Sequence, residues 1–251
     1  MDILTISFLF GAALIGGGMS AVAGGASFFT FPALLFAGLP PLEANATNFV
    51  AMTPANITAL PAFRDELRGL GRALFLPSLI AGVGGIAGAF LLLAIGGGFF
   101  AQAVPYLMGG ATALFAAAPI LRKQMERRKS TFAERELGLF LLFVAAVYGG
   151  YFGAGLGQIM LAVLILIGHT NLHEANAAKN AINSVISLVA VVIYGLTGAV
   201  AWPAAIVMVF GASIGGYLGG HMSLRISQKT LRLAVIWLGV VLTGFYFVNG
   251  A

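Results

Sequence analysis

One lysine stands inside a long apolar segment, where packing alone explains it poorly. Lys179 lies among Asn176, Asn180 and Asn183 in the segment that runs from about 175 to 197. Where such a segment crosses a bilayer, a charged side chain costs about 2.5–3.5 kcal/mol even on insertion scales, so we expect a function for it. An ammonium group there can neutralise a bound anion. The alternative is that Lys179, near the predicted start of its helix, extends its stem to the lipid headgroups.

Two glycine clusters precede short apolar segments. A helix interrupted by glycines exposes backbone N–H groups, and the N-terminus of the next half-helix favours an anion. Ser27 and Gln158 follow the clusters at equivalent places and can add side-chain donors. The alternative is close helix packing, which small residues permit. The clusters are Gly16, Gly17, Gly18, Gly24 and Gly25, and Gly149, Gly150, Gly153, Gly155 and Gly157.

Asparagines recur at matching positions of two further segments. Asn45 and Asn176 fall where helices are predicted to begin, so capping is favoured over substrate contact or proton relay. Farther along, polar residues spaced by three and four share a helix face. They either line a pathway or form hydrogen bonds between helices. These residues are Asn48, Thr53 and Asn56 in the first half and Asn180, Asn183, Ser184 and Ser187 in the second.

The chain lacks the residue sets of most enzymes and metal sites. It has no cysteine, which excludes disulfides and thiol catalysis. His169 and His173 are joined by no acidic residue except Glu174, so we expect no metal and keep both as candidates for pH sensing or proton relay. The apolar segments hold no His–Asp–Ser arrangement and no His-Glu-x-x-His motif. An enzyme is therefore disfavoured, and no cofactor is expected.

The residues above must be positioned by helices in a membrane. Of the 251 residues, 60% are hydrophobic and 8% are charged, whereas soluble domains carry about 25% charged residues. No soluble fold of this size can bury so much apolar surface, so the bilayer is its solvent. The apolar segments are approximately 3–22, 26–39, 46–63, 71–94, 99–120, 137–153, 157–169, 175–197, 202–221 and 231–248.

The two halves share sequence as well as hydropathy. Residues 43–46 and 174–177 both read EANA, and two segments at equivalent places are short and follow glycines. Paired, interrupted segments of this kind indicate a transporter site. The pattern predicts an all-α polytopic membrane protein with two repeats of about five helical segments each. The first repeat covers 1–121, a cytoplasmic basic linker covers 122–136, and the second repeat covers 137–251.

The basic residues predict the orientation in the membrane. Lys and Arg cluster in 64–72, 122–135 and 225–232, and loops near Pro40, Gly97 and Ala199 have none. The positive-inside rule places the three basic loops in the cytoplasm and both termini outside. Equivalent loops then carry opposite signatures, as inverted repeats require, if each half has five crossings or three crossings and a re-entrant hairpin. The net charge of +5 thus reflects topology rather than a nucleic-acid partner.

Two stretches carry a family resemblance. GGGMSAVAGGASFFTFPALLFAGLPPLEANATN is echoed by GGYFGAGLGQIMLAVLILIGHTNLHEANAAKN, and each half closes with a glycine-rich helix. This resembles the sulfite exporter TauE/SafE family of membrane permeases over essentially the whole chain. The resemblance implies export or uptake of sulfite, organosulfonates and related anions.

We therefore predict a secondary transporter of a small, sulfite-like anion in the cell (inner) membrane. Alternating access would act at a midplane site between the repeats. No Walker motif is present, so ATP is not the intrinsic energy source. An anion channel of the same fold stays open as an alternative, and so does a homodimer. The predicted site comprises Lys179, Asn176, Asn180, Asn183, Asn45, Asn48, Gly24, Gly25, Ser27, Gly155, Gly157 and Gln158.

Overall fold

The computed structural model is helical throughout the residues that it describes, which are 1–22, 24–126, 132–169, 171–222 and 228–249. Two 3-10 turns, Leu60–Phe63 and Gly71–Leu74, flank the short fourth helix. The predicted all-α fold is confirmed. The helices are α1 (Ile3–Val22), α2 (Ser27–Phe36), α3 (Pro41–Ala59), α4 (Arg64–Leu70), α5 (Phe75–Ile95), α6 (Gly97–Glu126), α7 (Phe132–Tyr151), α8 (Leu156–Ile167), α9 (Leu172–Leu196), α10 (Trp202–Met222) and α11 (Gln228–Asn249).

Several helices are long and apolar enough to cross a bilayer. Within the described residues, five helical stretches meet that condition, namely Ile3–Ala21, Pro41–Ile95, Gly97–Ile120, His173–Leu196 and Trp202–His221. By contrast, α2 has 10 residues and α8 has 12. At 1.5 Å per residue these measure about 15 and 18 Å, well short of a hydrocarbon core of about 30 Å. The chain is an integral, multi-pass membrane protein in which two helices are too short to cross.

Each short helix returns beside the helix that precedes it. A methyl group on Gly138, near the start of α7, would lie 2.7 Å from the side chain of Ile167 at the end of α8. In the first half, Phe8 near the start of α1 and Phe36 at the end of α2 line one groove. The pairs α1–α2 and α7–α8 are therefore helical hairpins, with the glycine clusters at their tips.

Other contacts show which helix ends lie together. We call the end of the bundle where α3 begins the first end, and the end where α9 begins the second end. At the first end, Ala201 N, just before α10, donates to Thr47 Oγ1 of α3 at 2.9 Å. At the second end, Ala177 of α9 packs with Ala59, the last residue of α3, and with Phe63 in the 3-10 turn that follows. The two helices therefore run in opposite directions through the bundle.

The helices of the two halves exchange partners. The contacts of α1 are chiefly with α10, and those of α7 are chiefly with α5. Glycines make this close approach possible, because a Cβ at Gly88 or Gly150 would overlap a backbone carbonyl oxygen of the facing helix. Small residues serve the same purpose in many membrane helix pairs. The first helix of each half therefore packs chiefly against a helix of the other half.

Two helix starts differ from the prediction. α3 begins at Pro41, a favoured residue for the first helical position, so Asn45 lies beyond the first turn. α9 follows Asn171, whose side chain accepts a hydrogen bond from His173 N at 2.9 Å. The prediction that Asn45 and Asn176 cap these helices is therefore wrong, and Asn171 is the capping residue of α9.

The basic segments are more helical than expected. Arg64 to Leu70 form α4, and the predicted linker 122–136 overlaps the end of α6 and the start of α7. Residues 127–131 of that linker and residues 223–227 of the third basic segment lie outside the described residues. As expected, Glu43 and Glu174 lie in the first turns of α3 and α9, where a carboxylate suits the helix dipole.

Candidate functional site

The tips of the two hairpins meet α3 and α9 around one cavity. The space between its atoms is about 510 Å³, and this volume includes the part of the cavity that is open to the outside. The polar side chains in its wall are hydroxyls and amides, and none of the described residues that line it has an ionisable side chain. The wall consists of Ser20, Gly24, Gly25, Ala26, Ser27, Asn48, Phe49, Met52, Asn56, Phe152, Gly153, Leu156, Gly157, Asn183 and Ser187.

Glycine backbone conformations break the helices at this cavity. Gly24 and Gly25 have φ of +63° and +132°, and Gly153 and Gly155 have φ of +75° and +73°. L-residues with side chains rarely adopt such values. The two tips also touch, since a Cβ on Gly24 would lie 2.6 Å from Gly157 Cα. Backbone therefore meets backbone at the bottom of the cavity, which requires glycine on both sides.

Two helix N-termini open into the cavity. Ala26 precedes α2 and Gly155 precedes α8, and neither residue supplies a side-chain cap. Ser27 and Gly157, in the first turns of these helices, both line the cavity. Phe28 N and Leu156 N already donate to Gly25 O and Gly153 O, so the two N-termini act on the cavity chiefly through the positive ends of their helix dipoles. The cavity therefore receives the positive ends of two helices, one from each half.

Hydrogen bonds from α3 hold the start of α2 in place. Asn48 Nδ2 donates to Ser27 Oγ at 3.2 Å, and Asn48 Oδ1 accepts from the hydroxyl of Thr30. Because Ser27 Oγ accepts the bond from Asn48, its own O–H group can still donate to another acceptor. Deeper in the wall, Ser20 Oγ donates to Asn56 Oδ1 at 3.1 Å. The polar wall is thus positioned by helix-to-helix bonds.

The C-termini of α1 and α7 also reach this region, and each is bonded by a donor from the opposite half. Lys179 Nζ lies 3.3 Å from Ser20 O and 3.5 Å from Ala21 O, at the end of α1. Asn45 Nδ2 donates to Tyr151 O, the last residue of α7, at 2.9 Å. Cations and N–H donors at a helix C-terminus satisfy its free carbonyl groups. Lys179 is fully buried by protein and does not extend to the membrane surface.

The chain was compared with known proteins. The family model described as "Sulfite exporter TauE/SafE" matches residues 9–246. The chain belongs to this family. A probable membrane transporter protein of Haemophilus influenzae is 30% identical over 97% of this chain and 94% of its own length. The probable membrane transporter protein YfcA of Escherichia coli K12 is 26% identical over 96% and 88%. No solved structure matches.

Membership identifies the chain as a membrane transporter. The named relatives are probable membrane transporter proteins matched along most of their lengths, so the predictions of transport and of no enzymatic activity are confirmed at family level.

In the part of the chain that the structure describes, no three His, Cys, Asp or Glu residues come together as a metal site. Burial lowers the pKa of His169, which lies between α8 and α9 and outside the cavity wall, and the Glu174 carboxylate opposes that shift.

The structure places half of the twelve predicted site residues in the wall of the cavity. Six of them line the cavity, namely Gly24, Gly25, Ser27, Asn48, Gly157 and Asn183. Lys179 packs behind the wall, with its Cδ 3.6 Å from where a Cβ of Gly157 would lie. Gln158 lies elsewhere, in an apolar groove beside Tyr148 and Ile159.

Sequence reasoning missed part of the wall. Ser20, Phe49, Met52, Phe152 and Leu156 line the cavity but were not predicted to do so. Phe49 and Met52 follow Asn48 on α3 and correspond to Asn180 and Asn183 in the repeat. That correspondence could have predicted that they line the cavity.

Proposed function

We propose that this protein is a secondary transporter of a small anion, with the cavity between the hairpin tips as its binding site. The observation that carries the proposal is the convergence of two helix N-termini without side-chain caps, those of α2 and α8, on a cavity whose described wall residues include no ionisable side chain. Broken helices whose N-termini point at an anionic group are a recurrent transporter design. Ser27 and Asn183 add side chains that complement an oxyanion.

The charges around the cavity support an anion over a cation. Each helix N-terminus acts as about half a positive charge, and each C-terminus as about half a negative charge. The negative ends of α1 and α7 are bonded by Lys179 and by Asn45, which leaves the positive ends of α2 and α8 dominant. Among the described residues, Lys179 bonds carbonyl groups and no carboxylate, so its charge adds to the positive potential. Lys179 thus contributes without touching the substrate.

The family narrows the class of anion. The matching model is described as a sulfite exporter, and sulfite, sulfate and alkanesulfonates each present several oxygen acceptors on one sulfur. Backbone N–H groups and hydroxyls bind such oxygens well. We infer a sulfur oxyanion or an organosulfonate as the substrate. Binding by uncharged donors lets the anion leave again, as transport requires.

We propose alternating access between two inverted repeats. The repeats correspond to 1–121 and 137–251, with the basic segment 122–136 between them, and each supplies one hairpin and one long helix to the cavity. The opposite directions of α3 and α9 support this arrangement. The arrangement of three crossings and one re-entrant hairpin per half places the three basic segments on one side. By the positive-inside rule that side is the cytoplasm, and both termini lie outside.

A reconstituted flux assay tests the proposal. Purified protein in liposomes should take up or release sulfite, sulfate or a short alkanesulfonate, with saturation at high concentration, in the absence of ATP. Lipid vesicles without protein are the control. Absence of flux for every anion, together with no anion-dependent change in thermal stability, would refute anion transport. Conductance that does not saturate would instead assign a channel.

A further inference from the structure

We propose that the path between the cavity and the second end of the bundle runs along one face of α9, from Asn183 past Asn180 to Asn176, and that it is closed in this conformation. The inference rests on the proposed function for what moves along the path, but not for where the path lies. By the charge pattern the second end is cytoplasmic, so the path is the cytoplasmic half of the permeation route.

The three asparagines form one stripe on the helix. Spacings of four and three residues place Asn176, Asn180 and Asn183 on a single face. Asn183 and Ser187 line the cavity, and Asn180 and Asn176 continue the stripe towards the start of α9. Their exposed fractions are 5% for Asn176, 0% for Asn180 and 7% for Asn183. The stripe therefore begins at the binding cavity and leads into packed protein.

Four amide atoms of this stripe are buried without hydrogen-bond partners in the part of the chain that the structure describes. Both Nδ2 and Oδ1 of Asn180 lack a hydrogen bond, as do Oδ1 of Asn176 and Oδ1 of Asn183. A buried polar group that loses water and gains no partner is destabilising. If the asparagines served to join helices, their side-chain groups would be paired across the interface, as those of Asn48 are. A second conformation in which water fills the stripe gives these groups their partners.

The first half shows that the fold itself does not need amides here. In the alignment that pairs Glu43 with Glu174, Phe49 and Met52 of α3 correspond to Asn180 and Asn183. α3 packs in the equivalent place with apolar side chains at both positions. Asn45, the equivalent of Asn176, is bonded through Nδ2 to the end of α7. Asn45 Oδ1 is unpaired, as Asn176 Oδ1 is, so the difference between the two helices lies at Asn180 and Asn183, whose equivalents in α3 are apolar.

Cysteine accessibility tests the path directly, because the natural chain contains no cysteine. Single variants Asn176→Cys, Asn180→Cys and Asn183→Cys would be treated with sulfonatoethyl methanethiosulfonate in inside-out vesicles. Ala178→Cys and Ile182→Cys are matched controls, since both residues lie on α9 and are 0% exposed. Sulfate or methanesulfonate serves as the protecting anion, because sulfite attacks disulfides and would remove the label.

We expect the three asparagine positions to react at least about tenfold faster than the two controls, since a thiolate forms only where water reaches it. Sulfate or methanesulfonate should slow the reaction at Asn183→Cys. If Asn176→Cys and Asn180→Cys are as inert as the controls while Asn183→Cys reacts, the path is refuted and the proposed function stands. If they react but no anion is transported, the path stands and the proposed function fails.

A second variant keeps the test independent of labelling. Asn180→Leu keeps the branching at Cγ, is larger, and removes an unpaired amide, so flux per folded molecule should fall at least about tenfold because an apolar group blocks a hydrated route. Ile182→Leu is the control for substitution in α9. A lower melting temperature with flux unchanged per folded molecule would show that Asn180 has a packing role and would overturn the proposal.

Discussion

At the scale of single residues, Lys179 illustrates how a buried charge can be tolerated. Its ammonium is satisfied by carbonyl groups at the end of α1, and its stem packs against Gly157. Taking a charge out of water costs several kcal/mol, and the carbonyl groups return part of this cost. The proposed function gives this cost a reason, because the charge of Lys179 would raise the positive potential at the cavity.

The variant Lys179→Met distinguishes the effect of the Lys179 charge from the effect of its packing. The thioether retains most of the stem but removes the charge, so we expect an unchanged or higher melting temperature and a loss of flux of at least about tenfold. Lys123→Met is the matched control, because Lys123 is exposed on α6. Flux per folded molecule equal to the wild type would exclude an electrostatic role.

The contact between Gly24 and Gly157 makes a second prediction at this scale. In Gly157→Ala the new methyl group would lie 2.7 Å from Gly24 Cα, and backbone cannot yield as a side-chain tip does. We expect a destabilisation of about 1–3 kcal/mol, as for other overpacked sites, measured by denaturation in detergent. Gly110→Ala on α6 is the control, because nothing lies within 4 Å of that position. Equal stability of the two variants would contradict the contact.

At the scale of elements, the short helices α2 and α8 exist as halves of hairpins. Glycines at positive φ end α1 and separate α7 from α8, and the short helices are too short to cross on their own. Their value lies in where their N-termini point. A continuous helix would bond its N–H groups internally and present nothing to a ligand. The proposed anion site therefore depends on the breaks between α1 and α2 and between α7 and α8.

A carboxylate built into α2 should imitate the bound anion. Asp is a favourable residue at a helix start, stabilising by about 1 kcal/mol, so Ser27→Asp should fold well while its own charge occupies the cavity. We expect the anion-induced rise in melting temperature to disappear in Ser27→Asp and to persist in Ser27→Asn, which has the same shape without the charge. If Ser27→Asp still responds to sulfate as the wild type does, the N-terminus of α2 is not part of the site.

At the scale of the whole molecule, the exchange of partners between halves ties the cavity to the overall packing. α1 packs on α10 and α7 packs on α5, so a movement of one hairpin is transmitted to a helix of the other half. Such a connection suits a change in access that involves both halves. The start of α1 and the last turns of α11 both lie at the first end, where Phe36 of α2 packs against Phe245 of α11.

The predicted orientation is tested by C-terminal fusions. With the three basic segments in the cytoplasm, the C-terminus lies outside, so an alkaline phosphatase fusion should be active and a green fluorescent protein fusion should be dark. The same reporters placed after Leu121, in the basic segment, should give the reverse result and serve as the internal control. Fluorescence from the C-terminal fusion would reverse the orientation and place the α9 path on the outer side.

The sequence predicted much of the fold because a membrane leaves few choices. Apolar runs of about 20 residues must become helices, since no water can satisfy their backbone groups in the bilayer. The short segments at 26–39 and 157–169 correspond to α2 and α8 within a few residues. The starts of α3 and α9 were less predictable, because Pro41 and Asn171 act locally and hydropathy does not register them.

By itself, the sequence determined that this is a helical membrane protein with two related halves, because composition and the repeated EANA segment depend on no tertiary contact. It also singled out Lys179 and the glycine clusters. Only the tertiary structure decided that α2 and α8 fold back as hairpins, that Lys179 bonds the end of α1 behind the cavity wall, and that Gln158 faces away. Direction and distance between segments depend on which helices pack together, and that information is not local to any stretch of sequence.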